Sequence, residues 1–302
     1  MIEHLLVPLD GSRLAEAALP PAAALARLFS ARITLMHVIE QDATDQVHGE
    51  RHLTEAGEAA AYLQTLRSRL PADLRVDCHV HAPAVADVAD GIAAHREELH
   101  PDIIVMCTHG PAGLGRLLKG SLAQQVVGLG KTPLLHLRAE AAADSFALRR
   151  LLVPLDGRRE HEGGLDLALE LAAAGSGVLH LLSVVPTLIS LAGEQATLSR
   201  FMPAAARELQ AIDSRNLRHY LEKLLARAKG REVAATAEIR QGNPVDLIVQ
   251  SADDLAADLI VMATHGKAGG QAFWDNSMAV RVQGETLKPV LLVPVGEGVL
   301  SH

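Results

Sequence analysis

The chain has 302 residues, more than one ordinary domain needs and enough for two of roughly 150 each. Although 49% of it is apolar, it carries only one Trp, two Tyr and four Phe, so a core must be built from Ala, Leu, Val and Ile, which suits helices packed closely on a sheet. A formal charge of −8 argues against a nucleic-acid partner, which would need clustered Lys and Arg, and the lack of a long apolar run argues against a membrane.

Residues 5–9 form a short continuous apolar run closed by Asp10-Gly11, the pattern of a strand buried on both faces and followed by a turn. Residues 15–29 are rich in Ala and Leu at helical spacing, with Pro20-Pro21 expected to begin or kink the regular part. A strand is predicted over 33–39, a helix over 53–70, an alternating strand over 76–80, a helix over 85–96 and a buried strand over 103–106. Strands alternating with helices predict a parallel sheet with helices on both faces and right-handed crossovers. Cys78 falls in one of these strands and Cys107 at the end of another, so no disulfide framework is expected. Met1-Ile2-Glu3-His4 offers no basic start to a signal peptide, and a cytoplasmic location is expected.

The segment Leu5-Leu6-Val7-Pro8-Leu9-Asp10-Gly11 returns unchanged as Leu151-Leu152-Val153-Pro154-Leu155-Asp156-Gly157, an offset of 146 from Asp10 to Asp156. Asp102-Ile103-Ile104-Val105-Met106-Cys107-Thr108-His109-Gly110 matches Asp258-Leu259-Ile260-Val261-Met262-Ala263-Thr264-His265-Gly266 at an offset of 156, from Gly110 to Gly266. The change of offset marks insertions between shared strands. The chain is therefore a duplicated domain, the copies spanning 1–140 and 149–297, with the small polar stretch 139–145 at the boundary.

Ligands of open parallel sheets sit beyond the carboxyl ends of the strands, where Asp10, Val38, His109 and Gly110 fall. Nine residues separate Gly110 from Gly120-Ser121, which opens the helix beginning at Leu122. A loop from one glycine to another and then into a helix start can wrap a polyphosphate with backbone N–H groups, and Ser121 can add a hydroxyl. There is no G-x-x-x-x-G-K-[S/T] segment and no nucleophile elbow.

The V-P-x-D-G segment on the first strand, followed after the fourth by G-x-x-G, nine residues and G-[S/T], resembles the universal stress protein family over essentially the whole chain, twice. The resemblance implies two tandem Rossmann-like open parallel sheets of the adenine nucleotide alpha hydrolase-like class, joined as an intramolecular pseudo-dimer through the last strands, around Leu134-Leu135-His136-Leu137 and Val290-Leu291-Leu292-Val293. It also implies an adenine nucleotide, ATP with or without Mg, and a protein partner that responds to its occupancy; homodimerisation is a further association it allows. The first-copy site would comprise Pro8, Leu9, Asp10, Val38, Met106, Cys107, His109, Gly110, Gly120, Ser121 and Leu122, with Cys107 standing where the motif has its first glycine. The second-copy equivalents are Pro154, Asp156, Val184, Ala263, His265, Gly266, Asn276 and Ser277. Ala263 and Asn276 replace two motif glycines there, and Phe273-Trp274-Asp275 adds bulk and charge, so weaker or absent nucleotide is expected.

Other readings stay open. Asp10 and Asp156 could be turn residues that accept local N–H bonds. Both copies could be a scaffold without nucleotide, or the protein a slow ATPase, although His109 and His265 have no nucleophile partner and no catalytic residue is assigned. His79 and His81, two apart on a strand, share a face, but with no third ligand in view they are read as surface residues and no metal site is expected.

Overall fold

In the computed structural model the described residues are 1–108, 122–139, 146–186, 203–264 and 278–295. They form strands β1 His4–Pro8, β2 Arg32–Glu40, β3 Gln46–Val47, β4 Glu50–Arg51, β5 Arg75–Val85, β6 Ile103–Thr108, β7 Leu134–Arg138, β8 Arg150–Pro154, β9 Val178–Val185, β10 Ala234–Gln241, β11 Leu259–Thr264 and β12 Val290–Pro294. The helices are α1 Arg13–Glu16, α2 Leu19–Phe29, α3 Ala56–Arg69, α4 Val88–Leu99, α5 Leu122–Gly128, α6 Gly163–Gly175, α7 Pro203–Gly230, α8 Pro244–Asp254 and α9 Met278–Glu285. One compact unit holds Met1–Ala147 together with β12, and a second holds Leu148–Ala263 together with α9.

In the first unit the strands run in the order β12-β7-β6-β1-β2-β5. All neighbours are parallel except β12, which runs antiparallel to β7 with Leu291 opposite Leu135. The central strands are buried on both faces: Leu5, Leu6 and Val7 in β1 and Ile103, Ile104 and Val105 in β6 are at most 1% exposed. The Cys78 face of β5 lies toward α3, whose Arg67 acts on that thiol, and the opposite face meets α4, where His95 contacts His79 and His81. Helices thus cover both faces, as the alternation predicts.

In the second unit the order is β10-β9-β8-β11, again all parallel. Its register repeats that of the first: Leu5 pairs with Ile103, and Leu151 with Leu259. A carboxylate pins each pair from outside the ladder. Asp102 Oδ2 accepts the N–H groups of Glu3 and His4 at 2.7 and 2.9 Å, and Asp258 Oδ2 accepts those of Arg149 and Arg150 at 2.9 and 2.8 Å. Because these bonds are partly solvated, Asp102→Ala is expected to lower stability by about 1 kcal/mol in a denaturant titration.

Local chemistry sets the helix starts. Ser12 Oγ accepts from Ala15 N, Asp87 accepts from Ala89 N, and Asn243 accepts from Val245 N ahead of Pro244, while Pro20 and Pro21 occupy the first turn of α2. The Asp87 cap corrects one expectation, since the segment predicted helical from residue 85 is still strand there. Val85 pairs with Glu40 after a bulge in β2, and the helix begins only at Val88. Pro83 is accommodated because β5 is an edge strand.

Candidate functional site

Strands β1, β2 and β5 proceed to one side of the sheet and β6, β7 to the other, so the strand order reverses between β1 and β6. Such a switch point opens a crevice at the carboxyl ends of the strands. Pro8 ends β1, Leu9 and Asp10 follow it, Val38 lies near the end of β2, and Met106 and Cys107 lie near the end of β6. The structure therefore gathers these six predicted residues at one edge. Leu122 opens α5, and His109, Gly110, Gly120 and Ser121 lie outside the described residues.

The turn after β1 is built by reciprocal bonds. Leu9 N–H donates to Met36 O at 2.8 Å, and the buried ring of His37 holds Nδ1 2.7 Å from Leu9 O and Nε2 3.1 Å from Leu53 O. Asp10 Oδ1 accepts from Ser12 N at 2.9 Å and Ser12 Oγ at 2.6 Å, so the turn role is real. Its second oxygen is different: Oδ2 has His48 Nε2 at 3.6 Å, beyond hydrogen-bond reach, and the side chain is 35% exposed. His48 sits in the tight turn His48-Gly49 between β3 and β4, a hairpin that also meets the start of α1 through Glu50 and Arg13 N at 2.5 Å. Sequence reasoning passed over this hairpin; its signal was the His-Gly pair, both at positive φ. Gly11 likewise stands at φ +92°, and a Cβ there would meet Leu53 Cδ1 at 2.9 Å, so this turn requires glycine.

In the second unit Pro154 ends β8, Val184 lies in β9 and Ala263 in β11, around the matching switch point; His265, Gly266, Asn276 and Ser277 lie outside the described residues. Leu155 N–H donates to Leu182 O at 2.8 Å, and Ser183 Oγ takes the place of the His37 ring by donating to Leu155 O at 2.8 Å. Asp156 is more fully engaged than Asp10. Its Oδ1 accepts from Arg158 N at 3.1 Å and its Oδ2 from His161 Nδ1 at 2.8 Å. Burial works to raise this carboxyl, but the His161 and Arg158 bonds outweigh it and hold Asp156 below the usual carboxylate range.

Both turns are backed by a constellation that sequence reasoning missed. Tyr62 on α3 and Tyr220 on α7 are half-buried beside Glu16 and Glu162, and burial together with these carboxylates pushes both phenols well up. The phenol oxygens lack the geometry of a formed hydrogen bond. Arg69 Nη1 reaches Glu16 Oε2 at 2.9 Å, and Arg227 Nη1 reaches Glu162 Oε2 at 3.4 Å. The signal was present as Tyr62-Leu63-x-x-Leu66 and Tyr220-Leu221-x-x-Leu224, whose leucines are all buried.

The universal stress protein family model matches residues 1–138 and again 147–294. The chain is a tandem member of the universal stress protein family. Among solved structures, a universal stress protein from Archaeoglobus fulgidus is 16% identical, with 97% of each chain covered and a TM-score of 0.70. A putative universal stress protein from Pseudomonas aeruginosa is 17% identical over 97% of this chain and 93% of that one, with a TM-score of 0.65. At such identities the likeness establishes the fold of this tandem universal stress protein and nothing finer. No curated protein matches the chain. Among the described residues no helix is long and apolar enough to cross a membrane.

Proposed function

We propose that this universal stress protein binds ATP, with or without Mg, mainly in its first copy, and that occupancy alters the surface offered to a protein partner in the cytoplasm. The observation that carries the reading is the meeting of Asp10, Val38, Met106 and Cys107 at the switch point of the first sheet, with Asp10 Oδ2 outside the hydrogen bonds of its own turn and His48 Nε2 3.6 Å from it. A ribose hydroxyl is the donor such an oxygen would accept. Alternation along β2 sends the backbone N–H and C=O of Val38 the same way as those of Met36, level with the end of β1, where an adenine edge could read them. The pairs Gly110 and Gly120-Ser121 would supply the phosphate loop.

The second copy is the weaker binder in this reading, because His161 and Arg158 already occupy both oxygens of Asp156. In neither copy do the described residues supply a nucleophile with an orienting base, so hydrolysis, if present, is slow.

Nucleotide released by denaturing freshly purified protein tests this reading. About one ATP per chain is expected, with a nucleotide-dependent rise in melting temperature. Asp10→Ala should weaken binding roughly tenfold by removing a hydrogen bond to a charged acceptor. Protein that carries no nucleotide, and whose melting is unmoved by ATP with magnesium, would leave a scaffold in its place.

A further inference from the structure

On the face of the first sheet that meets α4, His79 and His81 project from the edge strand β5 two residues apart, as a strand requires for a shared face. Sequence reasoning left them without a third ligand. The structure supplies it: His95 of α4, only 9% exposed, brings its Nε2 to 3.3 Å from His79 Nε2 and 2.7 Å from His81 Nδ1. Both flanking rings stand edge-on to His95, with centroids 4.3 and 4.8 Å away at 65° and 73°. The helix is held there by Gly91, whose missing side chain lets α4 settle on Val38; a Cβ would lie 2.9 Å from Val38 Cγ1.

The hydrogen bonding of this trio does not close on itself. His95 Nδ1 lies 3.0 Å from Glu98 Oε2, and since a carboxylate only accepts, Nδ1 carries the proton, leaving Nε2 to offer either one lone pair or one N–H. One sp² nitrogen has one lone pair or one N–H, yet two ring nitrogens approach it, so as a purely hydrogen-bonded cluster it leaves one contact unmatched. A cation resolves this, because three imidazole lone pairs can all point at one ion. A carboxylate on the far nitrogen of a ligating histidine is also the usual outer support of a metal-bound imidazole.

We propose that His79, His81 and His95, with Glu98 as the positioning residue behind His95, form a site for one divalent transition-metal ion of the Zn²⁺ class. Three nitrogen donors with no thiolate or carboxylate among the ligands themselves suit Zn²⁺ and its neighbours and do not suit Mg²⁺ or Ca²⁺, which take oxygen. Among the described residues no group of three or more His, Cys, Asp or Glu is arranged to hold a metal ion without rearrangement. Zn–N bonds of about 2.05 Å at tetrahedral angles separate ligand nitrogens by about 3.3 Å, the His79–His95 separation, so relative to His95 the His81 ring must withdraw by about 0.6 Å. His81 lies half-exposed on an edge strand, where that movement meets little resistance. The remaining coordination position would face solvent.

The site is independent of the nucleotide reading and is tested on the full chain stripped of metal and nucleotide. Calorimetric titration with zinc chloride, paralleled by the visible spectrum of the Co²⁺-loaded protein, should give about one tight site per chain with a tetrahedral Co²⁺ band. His81→Gln and His95→Gln should abolish that site and its band, and Glu98→Ala should weaken it roughly tenfold to hundredfold while keeping the band. His219→Gln, an exposed histidine on α7, should leave both unchanged. Half-exposed His79 permits a further variant, His79→Asn, whose metal-free melting should match the wild type, separating lost ligation from lost folding. Absence of zinc uptake, or uptake equal in the wild type and the three histidine variants, overturns the proposal.

Discussion

Removing the chain from Leu287 onward is expected to unfold the first copy, although every residue removed belongs by sequence to the second. β12 supplies Val290, Leu291, Leu292 and Val293, all at most 8% exposed, and lays them antiparallel against β7, opposite Leu134, Leu135 and His136. Four such side chains contribute about 1.5–3 kcal/mol each, a sum comparable with the whole stability of a domain at about 5–15 kcal/mol. The loss also strips α5 of one of the strands it packs on and leaves β7 as a bare apolar edge, which invites association between chains. Hydrogen exchange should therefore report lost protection across β7 and β6, and sedimentation should report larger species. A truncated monomer with full β7 protection would mean that the antiparallel pair is dispensable.

That strand also marks where the sequence was readable and where it was not. The repeated heptapeptide and the Asp102/Asp258 segments predicted two copies of one parallel-sheet domain, and the structure gives both copies the same register, Leu5 with Ile103 and Leu151 with Leu259. Pairing of the terminal strands followed only from resemblance, because an edge strand does not encode its neighbour. The start of α4 was misplaced for a related reason: Val85 has helical spacing with the residues after it, but its pairing with Glu40 across a bulge holds it in the sheet.

Within the site, Asp10 and Asp156 are identical in sequence context up to Gly157, yet they differ in structure because of residues just beyond the repeat. Ser12 in one copy engages a single carboxylate oxygen, while Arg158 and His161 in the other engage both. The tyrosine constellation was legible but hidden by an offset of 158, from Tyr62 to Tyr220, that neither of the other repeats shares. His95 was illegible as a partner of His79 and His81. Which face of α4 meets β5 depends on how closely Gly91 lets the helix approach β2, a packing fact with no periodicity of its own.

Stability should fall as the pH drops from about 6.5 to about 4, and one side chain should account for a large part of the fall. His136 lies in β7 between Met106 of β6 and Val290 of β12, 5% exposed. Burial first, and the charge of Arg138 second, lower its pKa from 6.5 to about 4. Above 6.5 the ring is neutral in the folded and unfolded chains alike, and its contribution is fully present. Between 6.5 and 4 the unfolded chain takes up a proton that the folded chain refuses, so stability is lost steadily; below 4 both are protonated and the loss levels off. The shift corresponds to about 3 kcal/mol in total, of which about 2 kcal/mol is lost between pH 7 and pH 5. His4, His79, His81 and His180, all lowered chiefly by burial, act in the same direction. His136→Leu keeps the apolar volume and removes the titration, so denaturant midpoints for the variant should change less between pH 7 and pH 5 than those of the wild type. Equal slopes in the two proteins would mean that the strand pair opens enough in the native state for His136 to be protonated without unfolding.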